Sequence, residues 1–120
     1  VIIDFKGEDL QQLMRVSRGM QIDTIAITNV DGKIVLRGYN KVEDAALTRP
    51  KYSLTLGDYE GDGNFNFIIN MSNMKMTIGD YKLMLWAKMN GSKKQTAAKF
   101  EGASASYVVA MEADSTFDFE

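Results

Sequence analysis

The strand-like run Ile2-Ile3-Asp4-Phe5 leads almost directly into Glu8-Asp9-Leu10-Gln11-Gln12-Leu13-Met14-Arg15-Val16-Ser17-Arg18, and this junction decides the fold. The apolar residues Val1 to Phe5 predict a short strand, ended by Gly7. From Glu8 the apolar spacing changes to steps of three and four. Leu10, Leu13, Met14 and Ser17 share one side, with Val16 and Met20 flanking it. Glu8, Gln11, Gln12, Arg15 and Arg18 share the other. That spacing predicts a helix. Glu8 and Asp9 occupy its first turn and Arg15 and Arg18 its last, the signs that the helix dipole favours. Gly19 is the expected C-terminal stop.

The same order returns downstream. Phe67-Ile68-Ile69-Asn70 precedes a second short helical segment, Ser72 to Met76, which Ser72 or Asn70 is placed to cap. Between the two, Ile25 and Ile27 alternate with Thr24, Ala26 and Thr28. Asn29-Val30-Asp31-Gly32 reads as a turn and Lys33 to Tyr39 as the return strand. Asn40 to Pro50 is polar and irregular, and its proline makes it a poor central strand. Tyr52, Leu54 and Leu56 alternate with Ser53 and Thr55. Gly57 to Asn64 is a turn-rich tip before the strand Phe65 to Asn70.

Tyr81 to Lys88 predicts another strand. Asn90-Gly91 then opens a polar loop through Gln95. Ala97 to Glu101 and Tyr107 to Glu112 complete the sheet. Helix starts and hairpin turns recur at an offset of about sixty residues, the mark of an internal pseudo-duplication. The expected class is α+β: two pseudo-repeats of strand, helix and strands, with two short helices packed on antiparallel sheets. Strands do not alternate with long helices, so a doubly wound sheet is not expected.

The chain has 120 residues, a size that suits one domain. It contains no His and no Cys. Those absences exclude a Ser-His-Asp triad, an imidazole base, a thiolate nucleophile, a disulfide and Cys-ligated zinc. No apolar run approaches the ~20 residues of a membrane helix, so no membrane is expected. The net charge of −2 hides an uneven distribution. Glu112, Asp114, Asp118 and Glu120 carry four of the 16 acidic residues, leaving a slightly basic body. Residues 113–120 read as an acidic, frayed end.

Candidate chemistry is sparse. Asp58-Tyr59-Glu60-Gly61-Asp62-Gly63-Asn64 mimics the opening of an EF-hand loop, with oxygen ligands at alternate positions and a glycine at the sixth. Ile69 stands where the closing Glu is required, and the flanks are strands. The stretch therefore reads as an acidic hairpin tip, with no metal. Glu43 and Asp44 are adjacent carboxylates in a polar loop and read as solvated charge. No catalytic residue is expected. Arg15 and Arg18, with Gln11 and Gln12 beside them and Lys75 on the second helix, would present a shared surface suited to phosphates without sequence readout. On β periodicity, Met84 and Trp86 fall on the outer sheet face, flanked by Lys82 and Lys88. They make a candidate partner-peptide patch.

Glu8 to Gly19 resembles the matching segment in the C-terminal half of the DNA polymerase sliding clamps of T-even-type bacteriophages. So do Lys51 to Asp58, Asn66 to Met76, Tyr81 to Lys88, Ala97 to Gly102 and Tyr107 to Thr116. The resemblance implies a DNA-clamp (processivity) fold. It implies a non-catalytic domain of a ring that encircles duplex DNA, with helices lining the hole and sheets outside. Such a ring tethers the replicative polymerase through the polymerase's C-terminal hydrophobic peptide. A clamp loader opens it, and it serves late transcription. It is a homotrimer when the first domain is present, acting in the cytoplasm of the infected bacterial host. It carries over Arg15, Arg18 and Lys75 as hole-facing residues and implies no cofactor. Only the second domain is matched, so the chain is read as a fragment or as a single-domain relative, the fragment being favoured. A stand-alone interaction module using the Met84–Trp86 face, and an enzyme using Asp58 to Asn64, are the competing readings.

Overall fold

The computed structural model describes residues 2–44, 47–59, 61, 63–74, 79–90, 93–103, 105–110 and 116–117. The opening strand β1 (Ile2–Phe5) is followed after Lys6 by the helix α1 (Gly7–Gly19). Three antiparallel strands follow: β2 (Thr24–Val30), β3 (Lys33–Tyr39) and β4 (Tyr52–Asp58). The second half opens with β5 (Phe65–Asn70) and a single 3-10 turn, Met71–Asn73. It continues with β6 (Tyr81–Asn90), β7 (Lys93–Glu101) and β8 (Ser106–Ala110), and β9 (Thr116–Phe117) comes last.

The pairing makes the duplication visible. One sheet has the order β1-β6-β7-β8, the other β4-β3-β2-β5-β9. Each holds three consecutive strands from one half plus the opening strand of the other: β1 lies on β6, and β5 on β2. The exchanged strands make the halves interdependent. Neither half has a complete sheet without the other.

Both sheets bury one face under α1. Leu10 and Leu13 of the helix are fully buried with Phe5, Ile25, Ile27, Leu36, Phe67, Ile69, Leu83, Leu85 and Phe100. These are the apolar positions that alternation and helical spacing predict. Tyr81 and Phe100 pack edge to face, as do Phe5 and Phe100. A smaller cluster, Ala26, Tyr39 and Ile68, lies on the reverse face of the five-stranded sheet with Leu47 packed on it.

Four expectations change. The second helical segment is a 3-10 turn over Met71–Asn73, and residues 75–78 lie outside the described residues. Asn70, not Ser72, is the cap: its Oδ1 accepts from the Ser72 N–H at 2.9 Å. The polar loop expected through Gln95 is largely ladder, because pairing continues from Trp86↔Ala97 to Asn90↔Lys93. Polar side chains do not end a hairpin whose backbone partners remain in register. Within the acidic end, Thr116 and Phe117 pair with Asn66 and Phe65 as an edge strand.

The fourth change concerns the loop between β3 and β4. Asp44 is buried, not solvated. Its carboxylate accepts from the Arg49 N–H at 2.7 Å and the Thr48 hydroxyl at 3.1 Å. The Arg49 backbone bond holds the Asp44 carboxyl below the usual aspartate range, against the opposing effect of burial. Among the described residues no helix is long and apolar enough to cross a membrane.

Candidate nucleic-acid interface

The position of α1 follows from its two ends. At the start, Lys6 supplies no side-chain cap. The Asp80 carboxylate accepts from the Gly7 N–H at 2.6 Å instead, from 73 residues away in sequence. Glu8 and Asp9 add negative charge in the first turn. At the other end the helix stops at Gly19, the stop that the sequence predicts, with Met20 as the C-cap. The residue that turns the chain away beyond the cap is Gln21, which takes a left-handed conformation with φ 55°. The Asn40 side chain holds it by donating to the Gln21 carbonyl at 2.9 Å. The Met20 N–H bonds to Val16 and the Ile22 N–H to Ser17, closing the last turn.

With Leu10 and Leu13 turned inward, Gln11, Gln12, Arg15 and Arg18 are all exposed on the opposite side. Gln11, Arg15 and Arg18 form one stripe at helical spacing. With Met14 they line a shallow cleft of about 450 Å³. The Arg18 Nε donates to the Met14 carbonyl at 3.4 Å, a long bond that steadies the side chain without neutralising it. Among the described residues neither arginine is ion-paired. Lys51 differs: at the helix end, beside a second hollow lined by Gly19, Met20 and Gln21, it pairs with Glu43 at 3.1 Å. Two unneutralised guanidinium groups on a helix face suit phosphate oxygens, which they can bind in fork geometry. Lys75 lies outside the described residues.

The outer face of the four-stranded sheet is organised by register. Ile2 lies opposite Met84, Met84 opposite Lys99, and Lys99 opposite Val108, so these side chains form one row across four strands. Ile2 is 66% exposed and Val108 71%, with Met84 half-buried between them. The sequence expectation named Met84 on this face but neither Ile2 nor Val108. Each sits at an outward position of an apolar strand, a signal that becomes legible only once β1 and β8 are paired. Trp86 pairs through its backbone with Ala97, and its side chain lies outside the described residues.

The acidic tip is tied to the neighbouring turn. Asp58 is ion-paired with Lys33 at 3.0 Å, the Tyr59 N–H donates to the Gly32 carbonyl, and the Asn64 side chain accepts from Asn29 at 3.2 Å. Glu60 and Asp62 lie outside the described residues. No group of three or more acidic side chains suited to a metal occurs among the described residues.

A family model described as gp45 sliding clamp, C terminal, matches residues 2–113. The chain is 69% identical over 119 residues to a protein named sliding clamp from Escherichia phage RB69, covering 99% of this chain and 50% of that protein. It is 70% identical over 118 residues to a protein of the same name from Enterobacteria phage T4, covering 98% of this chain and 50% of that protein. The chain thus spans about half the length of the curated relatives it matches.

Proposed function

The chain belongs to the gp45 sliding clamp C-terminal family, and on that premise we propose that it is one domain of a non-catalytic ring around duplex DNA. The α1 face lines the hole, and Gln11, Gln12, Arg15, Arg18 and Lys75 meet the phosphate backbone without reading bases. The observation that carries this is the exposed stripe Gln11, Arg15, Arg18, whose arginines have no ion-pair partner among the described residues. A ring that slides needs loose contacts, so residence on DNA comes from closure rather than affinity. Three protomers close the ring when the first domain is present.

The outer sheet face is the partner side. Its row of Ile2, Met84 and Val108 with Lys99 among them, beside the Trp86 strand position, receives the C-terminal hydrophobic peptide of the replicative polymerase. The clamp loader and the late transcription apparatus use the same ring, in the cytoplasm of the infected bacterial host.

The test is a nuclear magnetic resonance titration with a short duplex at low salt. Shifts should concentrate on Gln11, Gln12, Arg15 and Arg18 and vanish in the Arg15→Ala, Arg18→Ala double variant. Shifts centred on the outer sheet face would reject the assignment.

A further inference from the structure

We infer that Asp80 is a positioning residue for the basic face of α1, tying the helix start to the β1–β6 pair so that Arg15 and Arg18 are aimed together. The functional consequence rests on the reading of that face as the DNA side; the positioning itself does not.

A single residue, Lys6, separates β1 from α1, so the chain turns sharply where strand becomes helix. The last β1–β6 partners are Phe5 and Tyr81. Asp80 directly precedes Tyr81, and its carboxylate reaches around the corner to the Gly7 N–H at 2.6 Å. The N–H groups of Asp9 and Leu10 already bond to the Lys6 carbonyl at 3.1 and 3.0 Å. Gly7 is buried, and its N–H is one of the helix-start donors with no partner inside the helix, which the Asp80 carboxylate satisfies. The approach is close: a Cβ at Gly7 would lie 3.0 Å from the Gly79 carbonyl carbon and 3.2 Å from Asp80 Oδ1.

The other half repeats the device with a different atom. Asp23 directly precedes β2, and its backbone carbonyl accepts from the Met71 N–H at 2.9 Å, at the start of the 3-10 turn. In each half, the residue before the first hairpin strand holds the helical start of the other half. In one case a side chain does this, in the other a carbonyl. Only the Asp80 tie can therefore be removed by substitution. Leu10 and Leu13 fix the roll of α1 by burial. Asp80 fixes the tilt of its first turn, and Arg18 lies ~16 Å along the axis from Gly7 at the end of that lever.

The chain has no cysteine, so nitroxide labels on Gln12→Cys and Ser53→Cys report the distance from α1 to β4 cleanly. That distance distribution is compared in the native background, in Asp80→Ala and in Asp80→Asn, whose amide oxygen still accepts from Gly7. Asp80→Ala should broaden or displace it by more than about one helical rise, ~1.5 Å, and Asp80→Asn should leave it unchanged. Duplex binding at low salt is measured in parallel on the unlabelled proteins, which keep Gln12. Both variants remove one negative charge, so a general field effect would tighten binding alike in both. Positioning predicts weaker binding in Asp80→Ala alone, with a salt slope reduced by about 0.9, one phosphate contact. Should Asp80→Ala not fold, Asp80→Ser, one atom shorter, replaces it in both arms. Superimposable distance distributions would overturn the inference, as would binding that changes alike in both variants. If Arg15→Ala with Arg18→Ala leaves DNA binding untouched, the DNA reading fails while the distance measurement still judges Asp80.

Discussion

Ile22 occupies the space that any side chain at Gly38 would need: a Cβ there would lie 2.8 Å from Ile22 Cδ1 and 3.1 Å from Cγ2. Ile22 is buried just beyond the end of α1, and Gly38 is near the end of β3, so this contact seats the α1–β2 connection on the sheet. Gly38→Ala should destabilise by about 1–3 kcal/mol, as overpacking does in a filled site. Ile22→Val in the same chain removes the nearer carbon and should recover part of that loss. Urea unfolding of the two single variants and the double variant gives the coupling. Strict additivity would mean that the strain lies elsewhere.

Asp44 makes the loop between β3 and β4 sensitive to acid. Its carboxyl is held below the ordinary aspartate value of about 3.9, chiefly by the Arg49 N–H. A lowered folded-state value means that the carboxylate stabilises the fold above pH ~4 and that this contribution disappears as pH falls through the folded value. Asp44→Asn should therefore lower the melting temperature at pH 7 and narrow the gap to the native chain towards pH 2. A gap constant across that range would show that packing, not charge, is what Asp44 supplies.

How far the sequence carried the fold depends on whether the signal was local. The strands Lys33–Tyr39 and Phe65–Asn70 are legible to the residue, because alternation and turn chemistry agree there. The basic stripe of α1 is legible for the same reason. The end of α1 at Gly19 is legible as well, but what closes it is not, since the left-handed residue is Gln21, held by Asn40 from 19 residues away. The burial of Asp44 depends on backbone donors that its polarity does not announce. The row from Ile2 to Val108 needs the exchange of β1 into the second half's sheet, which no local pattern encodes.

That row gives a separable prediction. Val108 is 71% exposed, so Val108→Glu should alter stability by no more than ~0.5 kcal/mol. On the proposed docking of a polymerase C-terminal hydrophobic peptide to this face, it should nevertheless weaken that binding about tenfold or more, since the carboxylate must be desolvated there even with Lys99 opposite. Calorimetric titration of the peptide against the native chain and the variant measures this. Unchanged affinity would move the docking surface off the outer sheet face.

DNA affinity itself should be poor. On the proposed reading, Arg15 and Arg18 with Lys75 would neutralise two or three phosphates at most. Proteins with more contacts reach only about 10⁻⁴ to 10⁻⁶ M for non-specific duplex at physiological salt. The net charge of −2 opposes approach to a polyanion. A dissociation constant weaker than ~10⁻⁴ M is expected for the chain on a linear duplex, with a log–log salt slope between about −1.8 and −2.7. A salt series from ~10 mM upward reads both quantities, with Arg15→Ala plus Arg18→Ala as the control that should flatten the slope. Micromolar binding at physiological salt would mean that affinity rather than closure keeps this family on DNA. Micromolar binding indifferent to the double substitution would place the DNA on a surface other than α1.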